Sequence, residues 1–376
     1  MSYFLCKFIL VPIESVFKRK GGCKIMKRCL FGGMKSRLLL SRGSLFFGIV
    51  FILLLSAVLT NMRTLYASVT PQVSAGEYHS LALMADGTVW AWGSNSNGQL
   101  GDGIPTGATS GSPVPVSTLS DVTAIASGYN HSLALKSDGT VWTWGANGYG
   151  QLGDGSTTDS STPVQVSGLT DITAIAGGEK HSLALKSDGT VWAWGSNGYG
   201  QLGDGTYTDN SSPVQISNFT NVTAIACGGS HSLALKSDGT LWVWGHNDYG
   251  QLGNGTTTDS NSPVQVSSLS DVSAVAGGAY HSIALKSDGT VWAWGSNWNG
   301  QLGDGSNTYS QTPVQVSSLS DISAIESGSS HNLVLKSDGS VWAWGLNWYG
   351  QLGNGSTTDS NTPVQVRSIN DVTAIT

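Results

Sequence analysis

Histidine is the residue whose chemistry and spacing in this chain first invite a functional reading. His79, His131, His181, His231, His281 and His331 recur at intervals of 52 and then 50 residues, and His246 alone stands outside the series. A metal ion needs three or four ligands converging on one point. Six equivalent histidines, each opening its own copy of a repeated segment, cannot converge, so the expectation is structural: each bonds backbone near its own turn. His246 offers a single ligand and is assigned no site. The loop Asp154-Gly155-Ser156-Thr157-Thr158-Asp159 and the pair Asp204/Asp209 have oxygen donors at calcium-like spacing. They lack the twelve-residue pattern and bidentate Glu of an EF-hand, and turn chemistry explains the same residues. No cofactor is therefore expected, with calcium the sole candidate. No nucleophile elbow or phosphate-cradling glycine loop is present. Catalytic groups differ from their surroundings, whereas nearly every polar residue here has five equivalents. A non-enzymatic chain is expected.

The elements that carry these residues follow from the repeat itself. Each unit reads approximately H-S-L-A-L-K-S-D-G-T-V-W-A-W-G-S-N-x-x-G-Q-L-G-D-G, then a Ser/Thr-rich stretch, then P-V-Q-V. Around His181, residues 172–176 and 181–186 alternate with the period of half-buried strands. Residues 186–190 form a hairpin in which Gly189 supplies the positive φ a short turn requires. Residues 191–194 make a third strand, with Trp192 and Trp194 on one face. Residues 213–216 make a fourth, which proline confines to an edge or first position. Such a unit cannot bury both faces of its sheet alone, and stacking the units around an axis can. The expected fold is all-β: a β-propeller of six four-stranded units of about fifty residues, as six blades or an incomplete seven-bladed ring. The units fall at about 71–120, 121–170, 171–220, 221–270, 271–320 and 321–370. A closing strand, 371–376, is expected to join the first unit's sheet, whose own first strand (71–75) is degraded. The twelve paired tryptophans are read as inter-blade packing.

Comparison of the copies separates architecture, which repeats, from specificity, which need not. One variable pair precedes each repeated histidine and another precedes each G-Q-L-G. From these positions come the candidate ligand-binding residues Trp298, Trp348, Tyr129, Tyr280, Tyr349 and Asp248, placed on rim loops where aromatics act as rigid anchors. The competing reading for Tyr149, Tyr199, Tyr249 and Tyr349 is packing on the next blade. Cys227, the one cysteine outside the leader, takes the place of a Gly or Ser and is read as a small filler.

Charge divides the chain. Residues 1–68 carry eleven Lys or Arg and one acid, Glu14, a net +10, while 69–376 carry seven bases and 23 acids, a net −16. So acidic a body disfavours nucleic acid. Residues 45–59, LFFGIVFILLLSAVL, follow Arg37 and Arg42 and form a signal-peptide core or an N-terminal membrane-anchor helix. Met34 offers an alternative start. The body is thus expected outside the cell or on its surface, anchored if the leader is uncleaved, as a monomer binding a protein or glycan.

The run G-G-x-x-H-S-L-A-L-K-S-D-G-T-V-W-A-W-G-S-N-G-Y-G-Q-L-G-D-G resembles the repeat of the regulator of chromosome condensation family over residues 71–376. That resemblance implies a propeller, usually of seven blades, so six units are a departure. It also implies protein binding: the founding member is a nuclear guanine-nucleotide exchange factor for a small GTPase. The export-type leader is closer to secreted bacterial propellers of the class, one of which inhibits β-lactamases. Exchange activity and a purely structural surface spacer are the alternative expectations.

Overall fold

The computed structural model describes residues 69–376 apart from 105, 106 and 108; the basic leader and its apolar run lie outside the described residues. Among the described residues, no helix is long and apolar enough to cross a membrane. In the described residues, twenty-four strands form six four-stranded antiparallel sheets, each made of four consecutive strands. The protein is an all-β six-bladed propeller, and its blades follow the fifty-residue period.

The third blade shows how the residues dictate the sheet. Its strands run Ile172–Gly177, His181–Lys186, Val191–Gly195 and Asn210–Gln215. His181 pairs with Gly195 and Leu185 with Val191, so the alternating apolar residues of both strands face together. Between them Gly189 turns the chain at φ 79°, a conformation that costs glycine no Cβ clash. Asp188 Oδ1 accepts the Thr190 backbone N–H at 3.0 Å and its hydroxyl at 2.6 Å, which fixes the turn locally.

The first blade corrects one expectation. Its strands are β1 (Gln72–Ala75), β2 (His79–Leu83), β3 (Val89–Gly93) and β4 (Ser110–Pro115). Although its sequence departs from the repeat, β1 pairs fully with β2, from Gln72↔Leu83 to Ala75↔Ser80. The innermost place in this sheet is therefore taken. Residues 371–376 join no sheet, and Thr376 Oγ1 donates to Val73 O at 2.6 Å.

The core lies between blades. Leu183, Leu185, Val191, Leu202 and Ile216 of the third blade close on Val222, Ala234 and Trp244 of the fourth, and four equivalent layers join the other successive pairs. The two tryptophans of each pair share this face but not the same depth. Trp144, Trp194, Trp244, Trp294 and Trp344 are fully buried, while the first member of each pair, Trp192 among them, is half-buried.

A hydrogen-bond chain threads every one of these layers. Trp244 Nε1–H and Ser232 Oγ–H both donate to the Gln201 carbonyl, at 2.9 and 2.8 Å, and His181 Nε2 lies 3.0 Å from Ser232 Oγ. Because the Ser232 proton is committed to Gln201, its oxygen accepts and His181 carries its proton on Nε2. At the fifth interface Asn332 Nδ2 donates to Gln301 O and presents Oδ1 to His281 Nε2 at 2.8 Å, which requires the same tautomer. In the first five blades the histidine ring bonds a side chain of the next blade and not backbone near its own turn. Burial between blades removes the ring from its local turn and leaves the neighbouring hydroxyl as the polar group within reach. Nδ1 of His79, His131, His181, His231 and His281 has no partner.

Candidate functional site

Both variable pairs of each unit lie on one rim. The backbone N–H of Ser296 donates to Tyr280 O at 2.8 Å, tying the loop before each repeated histidine to the loop before G-Q-L-G. Side chains from three blades meet there. Tyr199 of the third blade lies 4.4 Å from His246 of the fourth, ring centre to ring centre. Tyr249 stands edge-on to Tyr280 at 5.4 Å and to Trp298 at 4.8 Å, both from the fifth blade, and His246 is 6.0 Å from Tyr280. These tilted and T-shaped contacts match the quadrupole preference of aromatic pairs. Trp298 is 60% exposed and Tyr280 41%, so the strip is wet on its outer side.

His246, unassigned by its sequence, is the buried centre of this strip. Gln251 Oε1 accepts the Tyr249 backbone N–H at 3.0 Å, so its amide nitrogen faces His246 Nδ1 at 2.9 Å. The proton therefore sits on Nε2, which lies 3.1 Å from the exposed Asp248 carboxylate. Asp259 completes a cluster whose three ligand atoms lie within 4.8 Å of one another. Its Oδ1 accepts the Asn247 N–H at 2.8 Å, and burial raises its carboxyl above the ordinary range. With Nδ1 accepting and Nε2 donating, the imidazole turns an N–H and no lone pair toward Asp248. Its role in this geometry is to orient that carboxylate. The signal in the sequence was present: His246 occupies a place held by Ser94, Ala146, Ser196, Ser296 and Leu346 in the other units.

The structure brings Trp298, Tyr280 and Asp248 of the candidate set together and adds Tyr199, Tyr249 and His246. Tyr149 and Tyr199 pack on the following blade, Tyr149 beneath Lys180 Nζ at 5.0 Å, in keeping with the packing reading for these tyrosines. Tyr349 differs: it is 90% exposed, and its neighbour Trp348 is 66% exposed. Tyr129 turns to the axis, where its hydroxyl lies 3.5 Å from Ser329 Oγ of the sixth blade. Asp154 and Asp159 of the calcium-like loop accept backbone bonds from Ser156 and Asn147, at 2.9 and 2.7 Å.

Along the axis the first strands enclose a channel of about 890 Å³, lined by residues of all six blades. Cys227 lines it, and burial pushes its thiol above the usual range, which keeps it protonated and suits a filler. Glu326 is the charge that sequence reading passed over. It stands where Ala126, Ala176, Ala226 and Ala276 stand in other blades, and burial raises its carboxyl to about 7 from 4.5. A raised folded value means its favourable contribution is full below pH 4.5 and lost as pH climbs through 7. Glu326→Ala is therefore expected to gain stability relative to the parent as pH rises from 4.5 to 8, measured by urea midpoints across that range.

The RCC1-like domain family's sequence profile matches residues 57–376. Among solved structures, human WBSCR16 is 30% identical with a TM-score of 0.72, over 79% of this chain and 82% of that one. Prp20p of Saccharomyces cerevisiae, whose structure is described together with its binding to Gsp1p and histones, is 25% identical with a TM-score of 0.71, over 79% and 76%. Among curated proteins, the mitochondrial RCC1 domain-containing protein RUG3 of Arabidopsis thaliana is 45% identical over 84 residues, and human HERC3, a probable E3 ubiquitin-protein ligase, is 48% identical over 86. The chain spans 19% and 8% of the length of these two relatives.

Proposed function

Because the chain belongs to the RCC1-like domain family, we propose that its propeller is a non-enzymatic protein-binding module whose contact surface is the rim strip Tyr199, His246, Tyr249, Tyr280 and Trp298. The observation that carries this reading is the convergence of aromatics from three blades onto one exposed strip. Aromatic anchors held rigid by their neighbours lose little conformational freedom on binding, and they dominate interface energetics. Asp248, oriented by His246 and 69% exposed, places a carboxylate beside the strip. The described body is strongly acidic, so its field steers cationic partners toward it. The partner is accordingly a protein segment with basic residues flanking an apolar anchor.

The leader at residues 45–59 supports a site of action across a membrane, outside the cell or on its surface. A tag at the C-terminal side that a non-permeant protease reaches on intact cells supports this location, and a protected tag contradicts it.

The direct test is partner capture by the full chain and by the double variant Tyr280→Ala/Trp298→Ala. Two anchor truncations at about 2 kcal/mol each correspond to a loss of several hundred-fold in affinity. Unchanged capture by a double variant with the parent's far-ultraviolet spectrum removes the assignment.

A further inference from the structure

Four blades cap one backbone N–H with a carboxylate, and the fifth does not. Asp159, Asp209, Asp259 and Asp359 accept the N–H of Asn147, Asn197, Asn247 and Asn347 through Oδ1, at 2.7, 2.7, 2.8 and 2.7 Å. In the fifth blade the asparagine is Asn297, and Tyr309 holds the capping place. The Asn297 N–H has no partner among the described residues. Asn297 is fully buried, as its four equivalents are. A buried donor left unpaired is rare, because it has given up its bond to water and gained none.

A second unpaired group stands next to it. Ser296 is 1% exposed, and its Oγ has no partner either. In the fourth blade the same place in the repeat belongs to His246, which has a ring nitrogen within 4.8 Å of an oxygen of the capping Asp259. Side chains at this place therefore face the carboxylate. Two adjacent donors of the fifth blade are left with the same partner to find.

The loop has kept its shape without the acid. Asn297 Nδ2 donates to Ser306 O at 3.2 Å and Thr308 O at 3.1 Å, as Asn197 Nδ2 does to Thr206 O and Thr208 O at 3.2 and 3.1 Å. Asn307 adds two ties of its own: Nδ2 donates to Trp298 O at 3.2 Å, and Oδ1 accepts Asn361 Nδ2 at 3.0 Å. The place is thus built, and what fills it differs. A carboxylate is tolerated there, since the second and third blades hold Asp154 and Asp204, the equivalents of Asp304, beside the capping Asp159 and Asp209. Tyr309 is 46% exposed, so its ring has solvent into which to swing aside.

We propose that Ser296 and Asn297 form a carboxylate-binding subsite on the fifth blade, which takes a small monocarboxylic acid or the side chain of an Asp or Glu from another chain. One carboxylate oxygen accepts the Asn297 N–H and the other the Ser296 O–H, and the ligand's charge strengthens both bonds. The subsite does not depend on the aromatic strip being a protein contact, and its test uses no partner protein.

Acetate is the probe, added to the nitrogen-15-labelled full chain at neutral pH with ionic strength held constant by chloride. The Asn297 amide is the reporter. Its proton should move downfield saturably, toward the positions of the four capped asparagine amides, while neutral acetamide leaves it in place. The α-amide of N-acetylglutamate, in a second arm, separates the two sources. Binding tighter than that of acetate assigns the subsite to a side chain of another chain, and equal or weaker binding assigns it to a free acid. Ser296→Ala should weaken acetate at least three-fold. Tyr309→Asp supplies the carboxylate from within, so the Asn297 amide should start downfield and acetate should bind at least ten-fold more weakly. Tyr309→Ala leaves the place open and should bind at least as tightly as the parent. The proposal is overturned by an Asn297 amide that acetate leaves unmoved in both the parent and Tyr309→Ala, by an equal response to acetamide, or by undiminished binding to a folded Tyr309→Asp.

Discussion

Trp194→Ala is expected to lower the stability of the propeller by about 3–5 kcal/mol, with the transition followed in urea at neutral pH. The indole is fully buried between the second and third blades and donates Nε1–H to Gln151 O at 2.8 Å. Most of the loss is the cavity. Gln151 O still accepts Ser182 Oγ–H at 3.0 Å, so it is not orphaned, and the lost bond adds only about 0.5–1.5 kcal/mol. Trp92→Ala is the internal control. Same residue type, same place in the repeat, yet half-exposed and without the carbonyl bond, it should cost less than about half as much, on the scaling of loss with buried area. Equal losses at the two positions would contradict the shallower burial of Trp92.

Acid should unfold this protein steeply, and the repeated histidines are the cause. Burial holds His131, His181 and His231 down at about 3 and His79 and His281 at about 4, against an ordinary value of 6.5. The folded state keeps these rings neutral while the unfolded chain protonates them below 6.5. Stability is therefore full above pH 6.5 and falls as pH drops toward 4, by up to about 1.4 kcal/mol per pH unit for each ring. Glu326 acts in the opposite direction between 4.5 and 7, but it is one group against these five, and burial lowers His331 as well. Urea midpoints at pH 7.5, 6.5, 5.5 and 4.5 should drop progressively, with about five protons taken up on unfolding near pH 5. His181→Gln should remove about one of them. A flat profile across this range would show that the rings are not buried neutral.

The same network explains why the partners of the repeated histidines differ from those expected. That His181 is structural was legible because it recurs; that it bonds Ser232 was not, because the two are 51 residues apart and meet only when blades stack. Repetition also misdirected attention at His246 and Glu326. His246 was set aside as a single ligand, and Glu326 was passed over at a place that alanine holds in four other units. The variability of their positions singled out Trp298, Tyr280 and Asp248, which the fold brings into one strip, and equally Trp348 and Tyr349, which lie exposed on the sixth blade away from it.

Strand positions, the turn at Gly189, the fifty-residue blade and the burial of tryptophan between units were all set by the sequence, because alternation, positive φ and period are properties of a few adjacent residues. Which aromatics converge, which histidine tautomer is held, and whether the sixth blade meets the first depend on the angle between successive sheets. That angle is decided by side chains packing across fifty residues, and a small change in it, summed over six blades, decides whether the last blade bonds the first.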